Sequence, residues 1–186
     1  MANNVLYVTG TAIVVADTTD YNPTAARTLG ARTDQIDVTS LAAGAARQSA
    51  KLDFGATRAM LYDVRMNFEI AADDTAGDTI DLYMSPSHSG TANVGNVGHC
   101  TGADAAYAAI AGYTLAELLD HLQVIGKVPV AVQNDADGVQ SVHVGVFSPT
   151  DRYGSLVVKS TLTAQAFHSD AVEFAVGFYP IITQIQ

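Results

Sequence analysis

The sequence predicts an all-β fold, a jelly-roll-like antiparallel β-sandwich with about eight strands and one or two short helices. From Met60 to Ile70 every second residue is apolar, and most of the residues between them are polar. This period of two is typical of a long strand with one buried face. The segment 172–178 shows the same alternation. Turn-forming residues separate these two segments from further short apolar stretches at regular intervals, as in all-β sandwiches.

The first half of the chain contains several of the predicted strands. Residues Val5 to Ala16 are apolar and largely β-branched, and Gly10 interrupts them. This stretch predicts one strand or two short ones. Alternation also predicts a short strand over 50–54 and a strand over 80–84. We expect the strand 80–84 to return as a hairpin against the long strand 58–70.

Two long segments lack periodicity and are predicted to be loops or arms. The segment 17–47 combines a turn cluster with small residues, and the segment 85–112 begins with a stretch rich in Ser, Gly, Asn and His. Long loops in compact domains usually serve contact or function. We therefore expect these two segments to contact partner molecules.

The region 113–132 allows two interpretations. Thr114 and Glu117 have the spacing of a capping box, and the leucines from Leu115 to Leu122 form a helical stripe. These features predict a helix of about two to three turns within 113–124. Alternatively, the strand 122–132 starts early. Pro129 places that strand at a sheet edge or on a bulge.

Three further strands are predicted in the last third of the chain, over 142–146, 156–160 and 172–178, with loops between them. We find no internal repeat and no second regime of composition. The chain 1–186 is therefore predicted to form a single β-sandwich domain.

Composition excludes several classes of function. Nineteen acidic residues against nine Lys and Arg give a net charge of −10, which argues against binding nucleic acid through its phosphates. The sequence contains no run of 18 apolar residues, so no membrane span is predicted. No secretory signal is predicted before the first strand. The single cysteine, Cys100, excludes an internal disulfide. We expect synthesis in the reducing environment of a cytoplasm and no contact with a membrane.

No catalytic, cofactor-binding or metal-binding residues are predicted, and the chain is expected not to be an enzyme. His99 and Cys100 are adjacent, so in a strand they would point to opposite faces and would not form a dyad. The acidic turns 73–78 and 134–138 lack the distal acid of a calcium loop and are explained as turns. The remaining histidines, which lack the spacing of metal ligands, are His88, His121, His143 and His168.

The outward positions of two predicted strands are small and lightly charged. On the last strand they are Glu173, Ala175, Gly177 and Tyr179, and on the strand 142–146 they are His143 and Gly145. One interpretation is that these faces pack under another layer or another subunit. The other is an ordinary sandwich with small outward residues.

Three stretches of the chain carry a resemblance to a known family. They are Asp151-Arg152-Tyr153-Gly154-Ser155-Leu156-Val157-Val158-Lys159, His168-Ser169-Asp170-Ala171-Val172-Glu173 and the corner Tyr83-Met84-Ser85-Pro86-Ser87. In these stretches the chain resembles virion proteins of tailed bacteriophages. The resemblance implies a particle component, such as a head decoration (cement) protein or part of the tail apparatus. It carries over no functional residues, and the segment 17–47 has no counterpart in it.

The resulting expectation is a non-enzymatic capsid decoration protein of a phage virion. Its expected partners are the major capsid protein or other virion proteins, together with copies of itself in a homo-oligomer. The first alternative is a tail, collar or fibre-associated virion protein. The second is a carbohydrate-binding β-sandwich module, which would need a concave face with two or more of four candidate tyrosines: Tyr62, Tyr83, Tyr153 and Tyr179.

Overall fold

The computed structural model describes residues 5–17, 19, 21–24, 27–72, 75, 77–132, 138–170 and 173–185. Among the described residues, strands make up 43% and helix 3%, so the predicted all-β class is confirmed. The strands are β1 (Val5–Thr9), β2 (Ile13–Ala16), β3 (Asp34–Gln35), β4 (Ala46–Asp53), β5 (Leu61–Phe68), β6 (Thr79–Ser87), β7 (Ala105–Ala106), β8 (Gln123–Pro129), β9 (Gln140–Phe147), β10 (Tyr153–Ser160) and β11 (Ala175–Ile185). The helix α1 is Leu115–Leu119.

The strands form two sheets that face each other. The first sheet has the order β3-β2-β11-β5-β9, with β1 also paired to β11, and the second has the order β7-β4-β10-β6-β8. Eight of the strands form antiparallel pairs that are nested along the chain: β2 with β11, β4 with β10, β5 with β9 and β6 with β8. Nesting of this kind, divided over two sheets, is the jelly-roll arrangement.

The strand total exceeds the prediction of about eight. The nested pairs account for eight strands, whereas β1, β3 and β7 are additions. β1 and β2 pair with successive parts of the same side of β11, so together they occupy one strand position in the first sheet. Each sheet is therefore five strands wide, and the two sheets have ten strand positions in total. The strands β3 and β7 have two residues each, too few for any alternation to show in the sequence.

The predicted hairpin between 58–70 and 80–84 is wrong. β5 lies in the first sheet and pairs with β11 and β9, whereas β6 lies in the second sheet and pairs with β10 and β8. The connection after Phe68 therefore carries the chain from one sheet to the other. Alternation identifies a strand and its buried face, but it does not identify the strand's partner.

One large core cluster fills the space between the sheets. The alternating residues of β5 from Tyr62 to Phe68 all point into it and are at most 2% exposed. Aromatic rings pack at both ends of this core, Phe54 against Phe178 at 5.8 Å and Phe167 against Phe174 at 5.7 Å between centroids. Burial of one such side chain contributes roughly 1.5–3 kcal/mol.

Both interpretations of the region 113–132 prove partly correct. The helix α1 forms, but it has five residues rather than two to three turns. Its capping box is complete, because the Thr114 backbone N donates to Glu117 Oε2 at 2.7 Å and the Glu117 backbone N donates to Thr114 Oγ1 at 3.3 Å. The strand β8 begins soon afterwards, at Gln123.

Gly10 separates two short strands, as one of the predicted options required. A Cβ at this position would lie 2.8 Å from Pro180 Cγ and 2.9 Å from Ile182 Cδ1. Only glycine permits so close an approach of the chain to β11.

Candidate interaction surfaces

The outer face of the first sheet is covered by the described part of the segment 17–33. Tyr21 and Leu29 pack on Val14, Ala16 and Ala175. Since the covering residues belong to the same chain, the small outward residues of β11 lie beneath an intramolecular layer.

Tyrosine hydroxyl groups hold this covering layer in place. Tyr21 donates to the Gly30 carbonyl at 2.7 Å, and Tyr179 donates from β11 to the Leu29 carbonyl at 2.6 Å. Burial raises the pKa of Tyr179 above its usual value. The Tyr179 hydroxyl therefore stays protonated across the neutral pH range and keeps donating this hydrogen bond.

The outer face of the second sheet is covered by the segment 96–122. Cys100, Tyr107 and three leucines of the helical region pack on Ala46 and Val157. Tyr107 donates to the Gly98 carbonyl at 2.5 Å and lies 3.3 Å from the Leu118 carbonyl, so one hydroxyl joins the loop to the helix. Burial raises the pKa of Tyr107. The helical stripe therefore faces a sheet and not a partner helix.

Lys51 holds the start of the Gly-rich loop that follows β6. Its Nζ donates to Ser87 Oγ at 2.6 Å, to the Ser89 carbonyl at 2.6 Å and to the Val94 carbonyl at 2.9 Å. Desolvation lowers the pKa of Lys51. One ammonium group thus satisfies two loop carbonyls and the Ser87 hydroxyl.

Asp104 joins the two predicted loop segments to each other. Its carboxylate accepts hydrogen bonds from Arg47 Nε at 2.7 Å, Gln35 Nε2 at 2.9 Å and the Asp37 backbone N at 3.0 Å. These contacts close the sandwich at the edge where the two-residue strands β3 and β7 end the sheets.

The candidate residues for chemistry are not brought together. Cys100 is buried, and burial raises the pKa of its thiol to about 11, which makes it a poor nucleophile. The ring of His99 packs on Tyr113 at 5.7 Å. Within the described residues, no group of three His, Cys, Asp or Glu is placed to hold a metal ion. Most of the acidic turn 134–138 and part of the turn 73–78 lie outside the described residues.

The remaining histidines are spread over separate surfaces. His121 packs on the other side of Tyr113 at 5.9 Å. His143 Nε2 lies 2.7 Å from Asp63 Oδ1 on the outer face of the first sheet. His168 Nδ1 accepts from the Asp170 backbone N at 3.1 Å.

The four candidate tyrosines do not share a concave face. Tyr62 is 2% exposed within the core. Tyr83 faces outward on the second sheet beside α1, and Tyr153 lies under the Arg152 guanidinium at 4.8 Å. Tyr179 lies on the outer face of the first sheet. No platform for a sugar ring is formed by this set.

Eight of the ten large apolar side chains that are exposed among the described residues fall into two groups. The first, called the end surface, lies at the end of the first sheet where β5 begins and includes residues on both faces of that sheet. It comprises Met60, Leu61, Val146 and Ile182, whose exposed fractions run from 38% to 84%. Beside it, the loop 54–60 borders two open grooves of about 400 and 350 Å³. The second, called the cover surface, comprises Val94, Val97, Ile110 and Tyr113.

The alternating pattern does not predict the end surface. It places Met60 on the buried side of the long strand, but Met60 is 84% exposed because β5 begins only at Leu61. Three of the four residues of the cover surface lie within the segment 85–112, from which the sequence predicts contacts, and Tyr113 directly follows that segment.

Comparison of the chain with protein-family models, curated proteins and solved structures gives no match. Within the described part of the chain, no helix is long and apolar enough to cross a bilayer.

Proposed function

We propose that this chain is a non-enzymatic structural protein of a tailed-bacteriophage particle. In this proposal it is a capsid decoration protein that binds shell subunits and copies of itself. The sequence resemblance supplies the phage context, and the jelly roll is compatible with it. The fold alone does not decide function.

The observation that carries the proposal is the distribution of charged and apolar side chains on the surface. Charged side chains such as Lys51 and Asp104 hold long loops against the sandwich. Large apolar side chains instead remain exposed at the end surface and the cover surface. Exposed apolar patches on a folded domain mark contacts with other proteins. A decoration protein needs such surfaces and no cleft.

The experiment is the copy number of the chain in purified particles, measured by quantitative mass spectrometry against the major shell protein. A number comparable with that of the shell protein supports a decoration role. A few copies per particle favour the alternative of a tail, collar or fibre-associated component. Absence from particles contradicts both, and assays for glycan binding would then test the carbohydrate-binding alternative.

A further inference from the structure

The ends of the described chain form a two-stranded ribbon. All five residues of β1 pair with β11, from Thr9 with Ile181 to Val5 with Ile185. On the other side of β11, pairing with β5 ends at Ile181 opposite Leu61. The terminal ribbon, defined as 5–9 with 181–185, therefore extends past the other strands of the first sheet.

Both edges of the terminal ribbon are open among the described strands. The strand β1 has β11 as its one partner, and β11 has β1 as its one partner beyond Ile181. On the outer side of each strand, the backbone N–H and C=O groups therefore have no neighbouring strand to pair with among the described strands. An open edge of this kind is a template for pairing with another strand.

The opposite edges of the two sheets carry the protective features that the ribbon lacks. The edge strand β8 contains Lys127 and Pro129, and its pairing with β6 is shifted by a bulge. The edge strand β9 has a bulge beside Gly145. Lysine, proline and bulges are common means by which natural edge strands avoid pairing.

Side-chain amides also tie β8 to β9. Gln123 Nε2 donates to the Ser148 carbonyl at 2.8 Å. Gln140 donates to the Ala131 carbonyl at 2.9 Å and accepts from the Ala131 backbone N at 2.8 Å. The edges at the other side of the sandwich, β3 and β7, are too short to serve as templates.

The composition of the ribbon indicates which partner fits. No Asp, Glu, Lys or Arg occurs from residue 5 to 16 or from 174 to 185, whereas the chain as a whole carries a net charge of −10. Two copies repel each other through most of their surfaces. They can approach without this like-charge contact at the ribbon, where every residue is uncharged.

We propose that β1 pairs antiparallel with β1 of a second copy about a two-fold axis. The first sheets of the two copies then form one continuous sheet. Such an interface is isologous, because the same strand supplies both sides. The inference rests on the self-association part of the proposed function and names the surface responsible.

The test is sedimentation velocity of the purified full chain over a concentration series. The wild type is expected to form a dimer. The variant Tyr7→Lys, at the centre of β1, places like charges within one paired region. We expect it to weaken dimerisation by about tenfold or more. The matched control Val124→Lys changes an exposed valine of the protected edge strand β8 and is expected to leave the dimer intact.

Hydrogen–deuterium exchange keeps the test decisive if Tyr7→Lys unfolds the chain. In the wild type, β1 amides are expected to gain protection as the protein concentration rises, while β8 amides do not. A wild type that stays monomeric at every concentration overturns the inference. The inference is also overturned if Val124→Lys alone dissociates the dimer, or if the β1 amides gain protection from exchange only when particles are added. The copy-number measurement is independent of this result, so the two proposals can fail separately.

Discussion

Asp104 accepts a 2.7 Å hydrogen bond from Arg47 Nε, and this ion pair joins the loop before β7 to the strand β4. The side chain of Asp104 is 9% exposed and that of Arg47 is 26% exposed. The same carboxylate also accepts from Gln35 and from the Asp37 backbone. The two long segments of the chain thus meet at one partly buried acid.

Replacing Asp104 with alanine is expected to destabilise the fold. The change leaves Arg47 and two further donors without their acceptor, so we expect a loss of about 2–3 kcal/mol in the free energy of unfolding. Urea denaturation measures this quantity. The control Asp170→Ala, at an exposed position, is expected to change it by less than about 0.5 kcal/mol. Equal effects of the two substitutions would contradict the role assigned to Asp104.

Gly98 and Gly112 offer a matched pair for testing the cover over the second sheet. Both have positive φ, +64° and +91°. A Cβ at Gly98 overlaps the Leu122 side chain and lies 3.2 Å from the Tyr107 hydroxyl, whereas a Cβ at Gly112 meets nothing within 4 Å.

Alanine at Gly112 is therefore expected to cost about 1 kcal/mol from backbone strain alone. Alanine at Gly98 is expected to cost about 2–4 kcal/mol, since steric overlap adds to the strain. Thermal unfolding of both variants measures the difference. Equal stabilities of the two variants would show that the segment 96–122 accommodates the added Cβ without a cost in the free energy of unfolding.

Cys100 is expected to make stability depend on pH in the alkaline range. Burial raises the pKa of the folded thiol from 9.0 to about 11. The unfolded chain therefore loses its proton first, and stability falls as the pH rises from about 9 to about 11. The loss is about 2 kcal/mol or less.

The variant Cys100→Ala isolates this effect, because every other titrating group is retained. The difference in unfolding free energy between wild type and variant is expected to shrink steadily over that range. Denaturation at several pH values checks it, and a difference that does not vary with pH would argue against the raised pKa. Slow labelling of the folded thiol by a disulfide reagent is a second expected result.

The two exposed apolar surfaces yield separable predictions about assembly. Met60→Asp places a charge on the end surface, and Tyr113→Asp places one on the cover surface. Met60 is 84% exposed, so Met60→Asp is not expected to alter stability by more than about 0.5 kcal/mol. Tyr113 is 44% exposed but packs between the rings of His99 and His121, so Tyr113→Asp is expected to cost about 1 kcal/mol.

Under the proposed decoration role, the variant of the surface that contacts the shell is expected to bind purified undecorated particles at least about tenfold more weakly. Co-sedimentation with particles measures this binding. Val132→Asp, at an exposed valine outside both surfaces, serves as the control. Unchanged binding by both Met60→Asp and Tyr113→Asp would exclude these surfaces as shell contacts.

Local patterns predicted most of the elements and the buried faces of β5, β6 and β11. For β9 the predicted faces are wrong in part, because a bulge turns Gly145 inward beside Val64 and Val146 outward. The capping box at Thr114 and the break at Gly10 are short-range features, and both appear as expected. The exposure of Met60 depends on where β5 begins, and the pairing with β11 starts only at Leu61. The cover over β11 depends on contacts of Tyr21 and Leu29 with residues distant in the sequence.

Alternation alone predicts the all-β class, most of the strands and the inward side of β5, β6 and β11, because it is a property of neighbouring residues. Other features follow from the folded structure: β6 leaves β5 for the other sheet, two long segments cover the outer faces, and the terminal ribbon keeps open edges. These features are pairings between distant parts of the chain. Many partners satisfy the same alternation, and the choice among them depends on packing the whole core at once.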